Sequence, residues 1–209
     1  AGAGRAQVEV LLRLREPDGS LIPPGAFLPA AERFRMGPAI DRWVLGSVIG
    51  RLASDPRANL ELAVNFCGQS IGDRSFRNDV LRMLRDAGEG CCGRLCVEVT
   101  ETSVVGNLSE AAMFMTRLRD LGVSVALDDF GAGASSFTYL RRLPIDLLKI
   151  DGQFIEGLPE DRLSGTAIRC FVEAARIVGA RTIAERVENE PALEALRLLG
   201  VDLVQGYLC

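Results

Sequence analysis

The chain has 209 residues, 48% hydrophobic and 25% charged, a formal net charge of −4 and no histidine. That length suits one domain, residues 1–209, with a substantial core, and the composition excludes disorder, while the scattered charge excludes a nucleic-acid surface, which needs clustered cations. Without an imidazole, Ser-His-Asp catalysis, Cys-His catalysis and histidine-ligated zinc are all excluded.

The opening AGAGRAQ lacks the charged start and apolar stretch of a signal peptide, and no apolar run approaches the ~18 residues of a membrane span. A cytoplasmic domain cut from a longer chain, without membrane insertion, is expected.

The first apolar run, QVEVLLRL around Glu9, reads as a strand. A helix follows over Pro38 to Ala53, with Ile40, Trp43, Val44, Val48 and Ile49 on one side. LELAVN, ending at Asn65, and LCVEVTE, at Glu98, read as the next strands. A helix over Asn107 to Leu121 presents Leu108, Ala111, Ala112, Met115 and Leu118, and Gly122 stops it. VSVALDD brings Asp128 and Asp129, and Ser135 and Ser136 start a short helix through Leu143. DLLKID brings Lys149 and Asp151. A helix from Asp161 to Val178 stops at Gly179, RTIAE ends at Glu185, Pro191 opens a helix through Leu199 before Gly200, and VDLVQG ends at Gln205.

Seven near-continuous apolar runs alternate with helical segments, as in a parallel sheet covered on both faces. Nearly every run ends in a polar or acidic residue. A (β/α) barrel gathers its functional groups at the carboxyl ends of many strands, whereas an open doubly wound sheet concentrates them beside a glycine-rich phosphate turn. No such turn occurs, so an α/β, TIM-like (β/α) barrel is predicted.

Glu9, Asn65, Glu98, Asp128 and Asp129 form a set of hard oxygen donors that would repel one another without cations, which points to Mg²⁺ or Mn²⁺. Asp128 is placed to bridge two ions. Asn65 reads equally as a turn cap, and Arg13 either as a two-oxygen phosphate clamp or as a solvated surface arginine. Glu185 reads as a functional acid with Glu188 as a structural one, or both as surface glutamates. Lys149 stands apart: it is the one lysine among 24 basic residues, a compact ammonium suited to holding a water or a phosphoryl oxygen where a guanidinium is too broad. Gly131 and Gly133 read either as an ordinary turn or as a mobile loop over the acid pair. The six cysteines, without repeated CxxC spacing, read as small buried thiols.

EVLLR, NFCGQS, EVTET, DDFGAGASSF, LPIDLLKID, AERVE and VQGY occur in the order and form of the EAL domain family, the cyclic di-GMP phosphodiesterases of bacterial signalling, and the chain resembles that family along its whole length. The resemblance implies hydrolysis of cyclic di-GMP to linear pGpG by water activated between two metal ions. By the same resemblance Glu9, Asn65, Glu98 and Asp128 would ligate one ion, and Asp128 and Asp129 the second. Glu185 would support the second ion or accept a proton, and Lys149 would orient the attacking water. Glu101 would brace the loop after Asp129, while Arg13, Asp151 and Gln205 would meet substrate or water. It further implies a homodimer within a multidomain signalling protein.

The chain departs from the family pattern at Val10, Cys67, Ala132, Ala134 and at Arg186, where a glycine is customary. Eight residues precede Glu9, so the barrel is expected to lack its N-terminal strand here, and the C-terminal tail is expected to be shortened. These departures keep a second reading open, a catalytically silent receptor for cyclic di-GMP or for a partner domain.

Overall fold

The computed structural model describes residues 6–55, 59–133 and 137–208. Seven strands form the principal sheet: β1 (Ala6–Glu9), β2 (Leu60–Phe66), β3 (Leu95–Thr100), β4 (Ser124–Phe130), β5 (Leu147–Ile150), β6 (Arg181–Ala184) and β7 (Leu203–Val204). They lie in sequence order, and β1–β2, β4–β5, β5–β6 and β6–β7 pair in parallel. A doubly wound sheet reverses its strand order at a switch point. Unbroken order with helical crossovers is the TIM-like (β/α) arrangement, here with seven strands among the described residues.

The chain divides into two compact units, residues 1–98 with 109–124 and residues 99–108 with 125–209. In the first, β1 runs beside β2 in a register that sets Glu9 opposite Ala63. The strand expected over QVEVLLRL ends at Glu9; Leu14–Arg15 instead pairs antiparallel with Leu21–Ile22 in a short hairpin.

Four longer helices belong to this unit: α1 (Pro24–Arg33), α2 (Gly37–Ser54), α3 (Arg74–Ala87) and α4 (Leu108–Asp120). The predicted stripe on α2 holds at Val48 and fails at Trp43. Asp41, Leu45, Val48 and Leu52 are buried, whereas Trp43 is 65% exposed, because spacing alone does not tell which of two apolar stripes meets the core.

Sequence reading passed over α3, although its signals are plain. The Asp73 carboxylate accepts from Phe76 N at 3.0 Å, and Phe76, Val80, Leu81 and Leu84 are buried at helical spacing. On α4 the reading missed Phe114, which is buried with Ala111, Met115 and Leu118.

In the second unit, α5 (Arg162–Val178) starts on the Asp161 carboxylate, which accepts from Leu163 N at 2.9 Å, and stops at Gly179 in the left-handed region. Asn189 caps α6 (Glu190–Leu199) in the same way. The short helix expected through Leu143 spans Phe137–Leu140; its expected starters Ser135 and Ser136 lie outside the described residues, as do Ala134 and Cys209.

Phe130 at the end of β4 meets Phe171 edge to face at 5.1 Å, and Phe171 meets Phe154 at 5.2 Å. Gly131 lies against this cluster with φ +98°, where a Cβ would run into both Phe154 and Phe171. Only glycine combines that torsion with that approach.

Cys91, Cys92 and Cys96 are buried and Cys67 is half-buried, but Cys170 is exposed on α5, so the buried-thiol reading fails there. Its neighbours Phe171 and Val172 take the inward positions.

Candidate active site

The second unit holds a cluster of buried and half-buried charged groups. Lys149 is on β5, a strand buried at all four positions, and is only 1% exposed. An ammonium in such a place needs anionic partners, and it has them: Nζ is 3.1 Å from Asp128 Oδ1 and 2.8 Å from Glu185 Oε1. Register brings them together, since β5 lies between β4 and β6 and Ile150 pairs with Ala184, one residue before Glu185.

Asp128 and Asp129 are adjacent on a strand, where neighbouring side chains ordinarily point to opposite faces. Here the β4–β5 ladder shifts register between Leu127 and Phe130, and Asp129 adopts φ +54°. The irregularity re-aims the pair, and Asp128, Asp129 and Glu185 each bring one carboxylate oxygen to within 4.8 Å of the others.

Crowding like charges out of water raises their pKa. Burial, helped by Asp128 and Asp129, pushes Glu185 up to about 7 despite the opposing Lys149 charge. Burial also raises Asp129, with Asp128 and Asp151 adding to the effect and Lys149 and Arg186 opposing it. Three carboxylates against one buried ammonium leave a negative, oxygen-only donor set, which fits a hard divalent cation such as Mg²⁺ or Mn²⁺.

Around this cluster, Glu101 is buried and accepts from Gly131 N at 3.3 Å. The Tyr139 phenol lies beside it, and burial together with the Glu101 carboxylate pushes its pKa upward. Sequence reading missed Tyr139, a lone tyrosine in the TYLRRL segment with no motif signal around it. Asp151 caps the turn Gly152–Phe154 by accepting from Gln153 N at 2.8 Å. The Gln205 backbone is held on both sides, its N donating to Ala184 O at 2.8 Å and its O accepting from Val187 N at 3.0 Å.

In the first unit, Asn65 Nδ2 donates to Glu9 Oε1 at 2.8 Å. That bond fixes the amide flip, leaving the carbonyl oxygen as the atom suited to a cation. Glu98 is buried in β3, 2% exposed. Arg13 is exposed, its guanidinium donating to Leu12 O at 2.8 Å.

A support that sequence reading missed stands behind Asn65. The buried Asp41 carboxylate accepts from Ser70 Oγ at 2.6 Å and from Cys67 N at 2.9 Å, tying α2 to the turn after β2. Burial raises its pKa. The available signal was an acid in register with Leu45, Val48 and Leu52.

The model of the EAL domain family matches residues 2–209. The chain belongs to the EAL domain family. Among curated relatives, it is 34% identical over 99% of its length to cyclic di-GMP phosphodiesterase PdeB of Shewanella oneidensis, and 38% identical over 97% to cyclic di-GMP phosphodiesterase NbdA of Pseudomonas aeruginosa. It spans 24% and 26% of those two proteins, about a quarter of each. Among solved structures, the MucR phosphodiesterase in complex with c-di-GMP matches with TM-score 0.86 and 33% identity, over 97% of this chain and 87% of that one. The FimX EAL domain of Pseudomonas aeruginosa bound to c-di-GMP matches with TM-score 0.86 and 26% identity, over 99% and 83%. No helix among the described residues is long and apolar enough to cross a membrane.

Proposed function

We propose that residues 1–209 are the phosphodiesterase domain of a longer protein and hydrolyse cyclic di-GMP to linear pGpG with Mg²⁺ or Mn²⁺. The observation that carries the reading is the buried Lys149 shared by Asp128 and Glu185, with Asp129 turned into the same cluster. Membership of the EAL family and relatives named as cyclic di-GMP phosphodiesterases support it.

In this reading Asp128 and Asp129 would hold a divalent cation with Glu185 in support, and Glu9, Asn65 and Glu98 are further hard oxygen donors. When bound, such ions lower the pKa of water and offset charge on the phosphoryl oxygens. In the reaction a water oxygen bonds to phosphorus as one P–O bond to ribose breaks, the water giving up a proton and the departing ribose oxygen taking one up to become a hydroxyl. Glu185 would support the cation or, with its carboxyl pushed up by burial in the metal-free cluster, accept a proton. Lys149 holds Asp128 and Glu185 in orientation and supplies a point charge toward the water. Glu101 steadies the backbone after β4 through Gly131 N, and Arg13, Asp151 and Gln205 meet the substrate.

Incubation with cyclic di-GMP and Mn²⁺, with nucleotides separated by chromatography, tests this. The expected product is pGpG, absent with Asp128→Asn or Glu9→Ala. Tight binding with no pGpG would establish the receptor reading instead, which Arg186 beside the acid cluster favours.

A further inference from the structure

Among the described residues three non-glycine positions have positive φ: Arg35, Asp129 and Arg186. Two of these belong to the acid cluster or adjoin it. An arginine at φ +53° occupies a conformation that glycine adopts without strain, and strain kept beside a functional cluster is a reason to look for what the side chain does.

Arg186 follows Glu185 directly and its stem runs over Gly152, the residue after Asp151, so closely that a Cβ on Gly152 would collide with Arg186 Cβ, Cγ and Cδ. This packing orients the arm. At its end the guanidinium is 3.6 Å from Glu156 Oε1, with both side chains roughly two-thirds exposed (63% and 68%). An ion pair that long and that exposed holds weakly. The arm is also close enough to Asp129 for its charge to oppose the rise of that carboxyl.

A cation beside three clustered carboxylates, packed along its stem and weakly held at its tip, can exchange its partner when a stronger anion arrives. A phosphodiester offers two charged oxygens to the planar fork, a better match than one glutamate oxygen at 3.6 Å.

Building on the phosphodiesterase reading, we infer that Arg186 is a substrate-binding arm, releasing Glu156 to grip a non-bridging phosphate oxygen of the cyclic dinucleotide. The role is in binding and not in bond breaking. Its signature is a change in KM with kcat held.

The experiment uses wild type, Arg186→Gly, Arg186→Gln and Arg186→Lys, with cyclic di-GMP as ligand and Mn²⁺ present. The glycine variant relieves the backbone and is expected to melt no lower than wild type, which establishes that the fold is intact. Glycine and glutamine are expected to raise KM about five- to twentyfold with kcat within about twofold. Lysine keeps the charge but not the fork, so its KM is expected to fall between those of wild type and the glutamine variant. The difference between wild type and the glutamine variant shrinks as salt rises, because exposed charge is screened.

A wild-type KM in the glutamine variant at low salt overturns the inference. So does a loss seen with glycine alone, which would assign the effect to backbone conformation. If wild type yields no pGpG, the phosphodiesterase reading fails by itself, and the same four proteins compared by calorimetric Kd for cyclic di-GMP still decide the role of Arg186.

Discussion

Replacing Lys149 with methionine keeps most of the side-chain volume and removes the ammonium from between Asp128 and Glu185, at 3.1 and 2.8 Å. Removing one partner of a buried ion pair costs about 3–5 kcal/mol, because the other charge is left buried and uncompensated. Here two carboxylates lose the same cation, at a site only 1% exposed. A loss at the upper end of that range is therefore expected in metal-free protein at pH 7.5, a melting shift of about 10–20 °C for a chain of this size.

The loss should narrow toward pH 5. Without the lysine Glu185 takes up a proton more readily, since Lys149 is what opposes the rise of its pKa. Mn²⁺ should restore stability more in the variant than in wild type, because the donor set has gained one net negative charge. Thermal melts at pH 5 and pH 7.5, with EDTA or with Mn²⁺, measure all of this. Equal melting temperatures of variant and wild type in EDTA at pH 7.5 would refute the claim that Lys149 neutralises this cluster.

Glu185 predicts a pH dependence of its own. Its pKa in the folded state is raised from 4.5 to about 7, so the folded protein binds more protons than the unfolded chain across that window. Metal-free stability should fall as pH rises through it, by at most about 3 kcal/mol, and a melting temperature that climbs instead would contradict the sign. Glu101→Ala removes the acceptor of Gly131 N; kcat is expected to drop about ten- to a hundredfold with under ~2 kcal/mol lost in urea titration. Gly131→Ala meets both a φ of +98° and two phenyl rings and should cost about 2–4 kcal/mol in the same titration.

Much of this chain was legible in one dimension. Apolar runs closed by polar residues told of a parallel sheet, since strands covered on both faces must be apolar throughout. A single lysine among arginines, and acids at the ends of separate runs, marked Lys149, Asp128, Asp129 and Glu185, which the structure brings together. Helix limits at Gly179 and Gly200 followed from the left-handed stop that glycine permits. Less legible was the inward face of α2, because two apolar stripes coexist there and only packing selects Leu45, Val48 and Leu52 over Trp43.

Residue types and their order were thus enough for the seven principal strands, for α2, α4, α5 and α6 and for the candidate acids, because patterning and glycine chemistry act locally. The convergence of Asp128, Asp129 and Glu185 around Lys149, the support of Gly131 by Glu101, and the strained arm at Arg186 were settled by tertiary structure. Register between neighbouring strands, the irregularity in β4 and the collision limits around glycines arise from pairs of segments far apart in the chain, and no local signal encodes a distance between them.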